Sequence, residues 1–395
     1  MTVDLFAPAS LGPVTLRNRI AKAATFEGMS RNHVVTDRLI DYHRAVAAGG
    51  VGMTTLAYCA VSEEGQGAPG EVLVREEAVP GLARFAEAMH DLGTAASMQL
   101  GHAGPVAAGT GRRGLAPSRV FAPQAMRFTR AATTDDLARI TRDFAAAARH
   151  AVAAGFDAVE LHFGHGYLIS AFLSPKLNKR TDEWGGSIEN RARLARRIAD
   201  AVKTAVGDRI AVIAKLNMAD GVTGGLWLDE SIEVARLLEA DGTLDALVLT
   251  GGSSFQNPMY LFRGEAPIAE MAATFPPRLR LGFKLAAHRF LITYPFEEAY
   301  FLPYARQFRD ALHMPLVLLG GINRRETVEA ALEEGFDFVQ IGRALLREPD
   351  LVARWQKGDT HEGLCIHCNK CMPTIYRGTH CVLVAPRDRP GHRET

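Results

Sequence analysis

Short apolar segments alternate with amphipathic helical segments along the whole chain, and no other feature constrains its fold as much. Strands that alternate with helices predict a parallel sheet whose crossovers are helical. Eight segments read as strands, and eight is the number that closes a TIM (β/α)8 barrel. They lie near residues 20–25, 52–61, 95–100, 158–163, 210–217, 246–251, 316–320 and 338–342. We therefore predict an α/β TIM barrel with long βα loops.

Length and composition fit one barrel with a short extension. The 395 residues divide into a predicted barrel at 1–358 and a cysteine-containing C-terminal extension at 359–395. A formal net charge of +1 gives no field that favours nucleic acid or an anionic membrane. The first residues, MTVDLFAPASLG, lack the pattern of a signal peptide. The sequence contains no apolar run long enough to predict a membrane span. We expect a cytoplasmic protein with neither nucleic acid nor membrane as a partner.

Two connections are long enough to carry specificity. Residues 101–134 are rich in Gly, Ala, Pro and Arg, which predicts either a cover over the barrel mouth or a disordered segment. Residues 253–303 follow the sixth strand and contain many aromatic residues, including Phe255, Tyr260, Tyr294 and Tyr300. Loops at this end of a barrel select substrates. We expect the second connection to form a lid or a subunit contact in a homo-oligomer.

Polar residues at strand ends predict one pocket. Glu160 and His162 share a face of the fourth strand, and burying such groups without partners costs about 2 kcal/mol or more each. Gln99 ends the third strand and Lys215 the fifth, and the chain turns from His162 into His165 and Tyr167. In such barrels the chemistry sits where strands end. We predict a pocket with amide, imidazole, ammonium and phenol groups, open to a small-molecule substrate.

The residues that follow the last two strands are of the types that bind phosphate in barrels of this kind. Gly320 and Gly321 follow the seventh strand, and Gly342 and Arg343 follow the eighth. Glycines there allow backbone N–H groups to approach an anion, and Arg343 adds a charged donor. The alternative interpretation is that these glycines only form helix-entry turns.

The segment from His162 to Arg191 carries a family resemblance. It reads H-x2-H-G-Y-L-x3-F-L-S-P-x2-N-x-R-x-D-x-W-G-G-S-x-E-N-R, and these fixed positions at fixed spacing resemble the signature of the Old Yellow Enzyme family. The resemblance extends roughly over residues 4 to 350. It implies an FMN-dependent NAD(P)H oxidoreductase, an ene-reductase that passes hydride from reduced flavin to an activated alkene of the enone or enoyl type.

The resemblance also implies roles for individual residues. His162 and His165 match the paired hydrogen-bond donors to the substrate oxygen, and Tyr167 matches the proton donor to the α-carbon. Gln99 matches the glutamine on the flavin pyrimidine ring, and the Ala60 backbone meets the same ring. The resemblance further implies that the glycine turns and Arg343 bind the phosphate of FMN.

Two positions depart from the family pattern. Lys215 stands where the family usually has an arginine beside flavin N1 and O2. A lysine keeps the positive charge but cannot make the two parallel hydrogen bonds of a guanidinium group. Phe26 stands where most members have threonine, cysteine or histidine near flavin C4=O, and that contact is absent unless Thr25 replaces it.

Four of the five cysteines lie close together after the barrel. Cys365, Cys368, Cys371 and Cys381 have the spacing C-x2-C-x2-C-x9-C, which suits a 4Fe–4S cluster or zinc, with free thiols as the alternative. The segment resembles the cluster-binding part of the 2,4-dienoyl-CoA reductase and trimethylamine dehydrogenase branch. That branch keeps two other functions open: an FMN-dependent amine dehydrogenase or demethylase, and a non-catalytic flavin- or metal-binding subunit.

Overall fold

A computed structural model of the chain describes residues 3–107, 113–122, 126–254 and 256–391. Eight parallel strands form its centre. They are β1 Ile20–Lys22, β2 Met53–Ala60, β3 Ala95–Gly101, β4 Ala158–Phe163, β5 Ala211–Asn217, β6 Ala246–Thr250, β7 Leu316–Leu319 and β8 Phe338–Ile341. The sheet closes on itself because β1 pairs with both β8 and β2. The predicted TIM barrel and all eight predicted strands are confirmed.

Helices surround the barrel. They are α1 Asp37–Ala48, α2 Val79–His90, α3 Thr134–Ala153, α4 Leu168–Leu173, α5 Ile188–Val206, α6 Leu228–Asp241, α7 Pro258–Phe262, α8 Ile268–Ala273, α9 Pro277–Ala287, α10 Leu302–Ala311, α11 Arg325–Glu333, α12 Arg343–Arg347 and α13 Leu351–Gln356. The start of α3 shows how local sequence sets these bounds. Thr133 accepts from the Asp136 backbone N–H while Asp136 reaches back to the Thr133 backbone, a reciprocal cap that contributes about 1 kcal/mol.

The barrel interior changes from apolar to polar along its axis. A short hairpin, Ala9–Leu11 with Val14–Leu16, closes the end where the strands begin and packs on inward side chains such as Ile213 and Val248. Because inward side chains recur every second residue, Lys215 follows Ile213 towards the other end. The polar groups therefore collect at the mouth, where the strands end.

The two long connections lie at this mouth and contain their own structure. The first has a 3-10 turn at Gly104–Val106 and two small two-stranded ribbons, and the second contains α7, α8 and α9. Residues 108–112 and 123–125 of the first connection and Phe255 of the second lie outside the described residues. Within the described part of the chain, no helix has both the length and the apolar character needed to cross a bilayer.

Candidate active site

The buried carboxylate of Glu160 forms hydrogen bonds with two of the predicted cofactor ligands, Gln99 and Lys215. Oε1 of Glu160 accepts from Gln99 Nε2 at 2.6 Å and from Lys215 Nζ at 2.7 Å, and Oε2 accepts from Gln340 Nε2 at 2.9 Å. Strand register explains the meeting, because Glu160 is directly paired with Gln99 across the β3–β4 ladder. Glu160 has no exposed surface. Gln99 and Lys215 therefore lie together in the barrel, held by a carboxylate that neutralises the lysine.

A second buried ion pair lies at the end of β1. Lys22 Nζ is 3.3 Å from Glu27 Oε1 and 3.1 Å from Thr25 Oγ1. His43 Nε2 is 3.1 Å from the same Glu27 oxygen, and burial lowers the pKa of His43 to about 4. Lys22 thereby holds the turn that follows β1, where Thr25 was predicted to meet the cofactor.

The two predicted imidazole donors form a chain. The Gly164 N–H donates to His162 Nδ1 at 3.2 Å, so Nε2 of His162 carries the proton and faces His165 Nδ1 at 3.2 Å. His165 Nε2 is 3.0 Å from Thr250 Oγ1. Burial lowers the pKa of His162 to about 3 and that of His165 well below its usual value. Both rings are therefore neutral N–H donors, and in this arrangement each donates to protein.

The backbone at His165 is held in an unusual conformation. Its φ of 61° lies in the left-handed region, which a side chain other than glycine rarely adopts. The His165 N–H donates to Asn217 Oδ1 at 3.0 Å, while Asn217 Nδ2 donates to the Gly252 carbonyl at 2.8 Å. Asn217, at the end of β5, thus fixes the turn that brings His165 over the barrel.

Tyr167 completes the predicted catalytic set. Its ring stacks on His162 with centroids 4.6 Å apart and meets Tyr58 edge-on at 5.2 Å. Burial raises the pKa of Tyr167, the charge of Glu71 adds to that rise, and a hydrogen bond with Ser254 opposes it. The phenol is therefore protonated at neutral pH and able to give a proton.

An apolar wall faces these polar groups. Tyr58, Ala60 and Leu73 pack into one cluster, against which Phe26 and Tyr167 lie half-buried. Phe26 and the predicted proton donor Tyr167 thus pack against the same cluster, and the Phe26 ring offers no hydrogen bond. The Tyr58 hydroxyl donates to the Gly65 carbonyl at 3.0 Å, which leaves the ring face for packing.

The two glycines after β7 have steric reasons to be glycine, whereas the glycine after β8 has none. Gly320 and Gly321 have φ values of 121° and 73°, and a Cβ on Gly321 would lie 2.5 Å from Tyr300. Gly342 precedes α12, and a Cβ there would lie 3.5 Å from Thr25. The ends of β1 and β8 therefore approach each other. The contact of these turns with a phosphate stays a prediction.

Arg343 contacts the C-terminal extension in this structure. Its Nη1 donates to the Arg263 carbonyl at 3.1 Å and also to Asn369 Oδ1, and its Nη2 lies 3.5 Å from the Tyr300 hydroxyl. Arg343 is thus near the glycine turn through Tyr300, but its side chain is engaged by protein oxygens. Its role as a phosphate ligand stays a prediction.

The four clustered cysteines line one small cavity beside Arg343. The cavity has a volume of about 20 Å³, and its lining includes Cys365, Cys368, Cys371 and Cys381. Burial raises the pKa of Cys371 to about 12, which keeps that thiol protonated while it has no metal partner. Across the described residues, no three His, Cys, Asp or Glu side chains are grouped closely enough to hold a metal ion. The thiols converge without forming a ligand set, and the cluster or zinc stays a prediction.

The extension is docked on both sides of the barrel mouth. The Thr379 N–H donates to the Glu27 carbonyl at 2.7 Å, and Asn323 Nδ2 donates to the Gly363 carbonyl at 2.6 Å. His367 stacks on Phe296 with centroids 3.4 Å apart. The cysteine segment is therefore part of the surface that surrounds the candidate site.

The family comparison agrees with this geometry. The model of the NADH:flavin oxidoreductase / NADH oxidase family matches residues 4–248. The chain belongs to this family. An NADH:flavin oxidoreductase with the Old Yellow Enzyme fold takes FMN as its cofactor and NAD(P)H as its reductant, as the resemblance implied.

Three related proteins place the chain within the NADH:flavin oxidoreductases. It is 54% identical over 384 residues to 4,4'-dithiodibutanoate disulfide reductase of Rhodococcus erythropolis, covering 97% of this chain and 95% of that one. The structure of an old yellow enzyme homologue from Zymomonas mobilis matches with a TM-score of 0.70 and 26% identity, over 93% and 96% of the two chains. A 2-naphthoyl-CoA reductase complex matches with a TM-score of 0.78 and 25% identity over 92% of this chain, which spans only 54% of that protein.

Several residues of the site were not among those predicted. Glu160 was recognised only by its place on the His162 face, while Thr250, Tyr58 and the Lys22–Glu27 pair were not singled out. Thr250 ends β6 as a polar residue in an apolar strand, the same signal that identified Gln99. Lys22 is also a charged residue in an otherwise apolar strand, and this pattern could have identified it as a site residue.

Proposed function

We propose that this oxidoreductase reduces a small electron-poor acceptor, and that an alkene conjugated to a carbonyl is the first candidate. The observation that carries the proposal is that the neutral His162 ring contacts both the neutral imidazole of His165 and the ring of the protonated Tyr167 at the barrel mouth. When bound, FMN supplies a hydride that it has received from NAD(P)H. Gln99 and Lys215 would hold its ring, and the turns at Gly320 and Gly342 its phosphate.

The imidazoles act on the acceptor oxygen. Negative charge grows on that oxygen as hydride reaches the β-carbon, so N–H donors placed there stabilise the transition state more than the ground state. His162 Nε2–H is one such donor, directed towards His165 in this structure. A rotation of the His165 ring away from Thr250 would present both N–H groups to the substrate. The fixed backbone turn at His165 limits the movement to the side chain.

Tyr167 supplies the proton. The α-carbon of the reduced acceptor is strongly basic, and a phenol that keeps its proton at neutral pH can protonate it. The ring of Tyr167 stacks on that of His162, and this contact supports the proposal of a proton donor next to an oxygen-binding donor. The apolar wall of Tyr58, Leu73 and Phe26 favours a flat apolar acceptor and excludes water from the reacting atoms.

An organic disulfide is the second candidate, because the Rhodococcus relative with 54% identity is named for the reduction of one. Hydride would attack one sulfur, the S–S bond would break, and the products would be one thiol and one thiolate. A thiolate has a reference pKa of about 8.5 and leaves without an obligatory acid. This reaction would therefore need Tyr167 far less than alkene reduction does.

Amine oxidation by the same cofactor stays an alternative that the experiment below includes. Reversed hydride flow, from an amine to oxidised flavin, would require no proton donor at Tyr167. A purely non-catalytic subunit is no longer an alternative, because the chain belongs to a family of oxidoreductases.

The test is anaerobic substrate comparison on the purified holoprotein. NADH and NADPH oxidation would be followed at 340 nm with 2-cyclohexenone, 4,4'-dithiodibutanoate or no acceptor, and flavin reduction by simple amines would be followed separately. Turnover with the enone supports the first candidate, and turnover with the disulfide alone supports the second. Flavin reduction by an amine but not by either nucleotide would contradict both.

A further inference from the structure

Asn369 connects the C-terminal extension to the connection after β6 and to the start of α12. Its Nδ2 donates to the Arg263 carbonyl at 2.9 Å and to the Glu265 carbonyl at 3.0 Å, and its Oδ1 accepts from Arg343 Nη1. Asn369 is buried, and these contacts use both of its donors and its oxygen. Its φ of 55° lies in the left-handed region, which asparagine adopts more often than most residues do. The whole side chain therefore serves contacts with the barrel mouth.

Gly264 allows the extension to approach this closely. A Cβ on Gly264 would lie 2.2 Å from the His367 carbonyl oxygen and 3.2 Å from Asn369 Nδ2. Its φ of 103° is also a conformation that residues with a side chain rarely adopt. Because glycine stands here, the carbonyls on either side of it, those of Arg263 and Glu265, both reach the Asn369 amide.

The same contacts orient the Arg343 guanidinium. Nη1 has two N–H donors, and they meet the Arg263 carbonyl at 3.1 Å and Asn369 Oδ1. Nη2 lies 3.5 Å from the Tyr300 hydroxyl. Among the residues that the structure describes, Nε has no hydrogen-bond partner and no carboxylate pairs with Arg343. One corner of the guanidinium is therefore fixed by protein oxygens, and the edge formed by Nε and Nη2 keeps donors for another acceptor.

This edge of an arginine is suited to an oxyanion. Elsewhere in the chain, Nε and Nη2 of Arg196 donate to the two carboxylate oxygens of Asp241 at 2.7 and 2.6 Å, the bidentate geometry that also suits phosphate. The Tyr300 contact places Nη2 of Arg343 near the turn after β7, since a Cβ on Gly321 would lie 2.5 Å from the Tyr300 ring. The free edge and the glycine turn thus adjoin the same tyrosine.

We propose that Asn369 is a positioning residue for the cofactor phosphate. It holds Nη1 of Arg343, so that the Nε and Nη2 donors are already directed when FMN binds. Because Asn369 lies between Cys368 and Cys371, the cysteine-containing extension would take part in retaining the cofactor. This inference rests on the proposed phosphate site at the turns after β7 and β8, but not on which acceptor the enzyme reduces.

Competition between FMN and riboflavin tests the role, because riboflavin lacks only the phosphate. Holoprotein would be equilibrated with excess riboflavin, and the flavins that stay on the protein would be separated and quantified. Asn369→Gly removes the amide at a φ that glycine tolerates, and it should lower the ratio of FMN affinity to riboflavin affinity at least about tenfold, because an unordered arginine binds an anion less well. A general loss of stability weakens both flavins and leaves the ratio unchanged.

Asn32→Gly is the matched control. Asn32 is an exposed asparagine with a φ of 52°, and it is not among the residues that contact Arg343. The substitution therefore makes the same chemical change in the same backbone conformation, and the ratio should keep its wild-type value.

Arg343→Met shows whether the asparagine acts through the arginine. This variant should lower the ratio at least as much as Asn369→Gly, and adding Asn369→Gly to it should have no further effect. A wild-type ratio in Asn369→Gly, or a further loss in the double variant, would overturn the positioning role while the phosphate site stands. A wild-type ratio in Arg343→Met would overturn both the positioning role and the phosphate site.

Discussion

Lys215 Nζ lies 2.7 Å from Glu160 Oε1, and both side chains are buried inside the barrel. Lys215 stands where the family resemblance implies a positive charge beside the flavin. The adjacent Glu160 makes the pair neutral overall, so the cofactor site carries less net positive charge than an unpaired lysine would give it. We therefore expect Glu160 to influence how easily bound FMN is reduced, without being a predicted ligand itself.

Glu160→Gln should shift the FMN midpoint potential in the positive direction. Removing the carboxylate leaves Lys215 free to stabilise negative charge on the reduced cofactor. We expect reduced FMN to bind at least tenfold more tightly relative to oxidised FMN than in wild type, about 30 mV for a two-electron couple. A dye-equilibrated redox titration measures this. The double variant Glu160→Gln/Lys215→Met should reverse the shift, and an unchanged or more negative potential in the single variant would refute the role.

The Glu160 variant should also be less stable. Breaking one partner of a buried ion pair costs about 3 to 5 kcal/mol because the other charge loses its compensation. Urea unfolding followed by circular dichroism measures the loss. The double variant, which removes both charges, should recover part of it. Equal stability of the single variant and wild type would show that Lys215 finds another partner.

Tyr167→Phe should separate the two candidate substrates. Loss of the phenol should slow alkene reduction by about 100-fold or more, because the α-carbon loses its acid. Disulfide reduction should change little, since a thiolate leaves unprotonated. Reduction of the flavin by NAD(P)H alone, followed by stopped flow, is the internal control and should keep its wild-type rate. Wild-type alkene turnover in this variant would remove Tyr167 from the proposed role.

Buried neutral histidines should make the fold less stable in mild acid. The pKa of His162 is lowered to about 3 and that of His43 to about 4, both mainly by burial. The unfolded chain binds these protons near pH 6.5, so stability is full above that pH and is lost as pH falls towards the folded values. Each group contributes about 2 kcal/mol of loss between pH 6.5 and 5, at 1.36 kcal/mol per unit.

Urea midpoints at pH 7, 6 and 5 measure this dependence. His43→Gln should lower the slope, since it removes one of the titrating groups away from the catalytic set. A slope that stays the same in His43→Gln would contradict its assignment as a buried neutral imidazole.

The cysteine prediction has a direct chemical test. Anaerobically purified protein should contain iron and acid-labile sulfide, or alternatively zinc, in proportion to chain. Cys371→Ser should lose the metal, whereas Cys59→Ser should keep it, because Cys59 is buried in β2 and does not line the cavity of the other four. A wild-type protein without iron, sulfide and zinc would establish the four as free thiols.

The barrel and the polar residues at its mouth could be predicted from the sequence because both follow from the periodicity of apolar and polar residues. Alternation along β4 put Glu160 and His162 on one face, and the rule that chemistry lies at strand ends added Gln99 and Lys215. Their convergence on Glu160 depends on the register between neighbouring strands, which periodicity within one strand does not define. The residue types were thus predictable, but their partners were not.

Contacts between distant segments account for the rest. Arg343 was expected at a phosphate, and in the structure it binds Asn369 and the Arg263 carbonyl, 26 and 80 residues away in the chain. The His162–His165 chain depends on a left-handed turn that Asn217 holds from another strand. No local pattern encodes such contacts, because they arise only when the loops and the extension pack on the mouth.

The measurement that tests the central claim most directly is an anaerobic absorbance spectrum of the purified protein, taken before and after NADH or NADPH and again after an acceptor. The account predicts flavin bands that bleach with a nucleotide and return on addition of 2-cyclohexenone or 4,4'-dithiodibutanoate. A protein that shows no flavin bands, and that gains none when incubated with FMN, would contradict it.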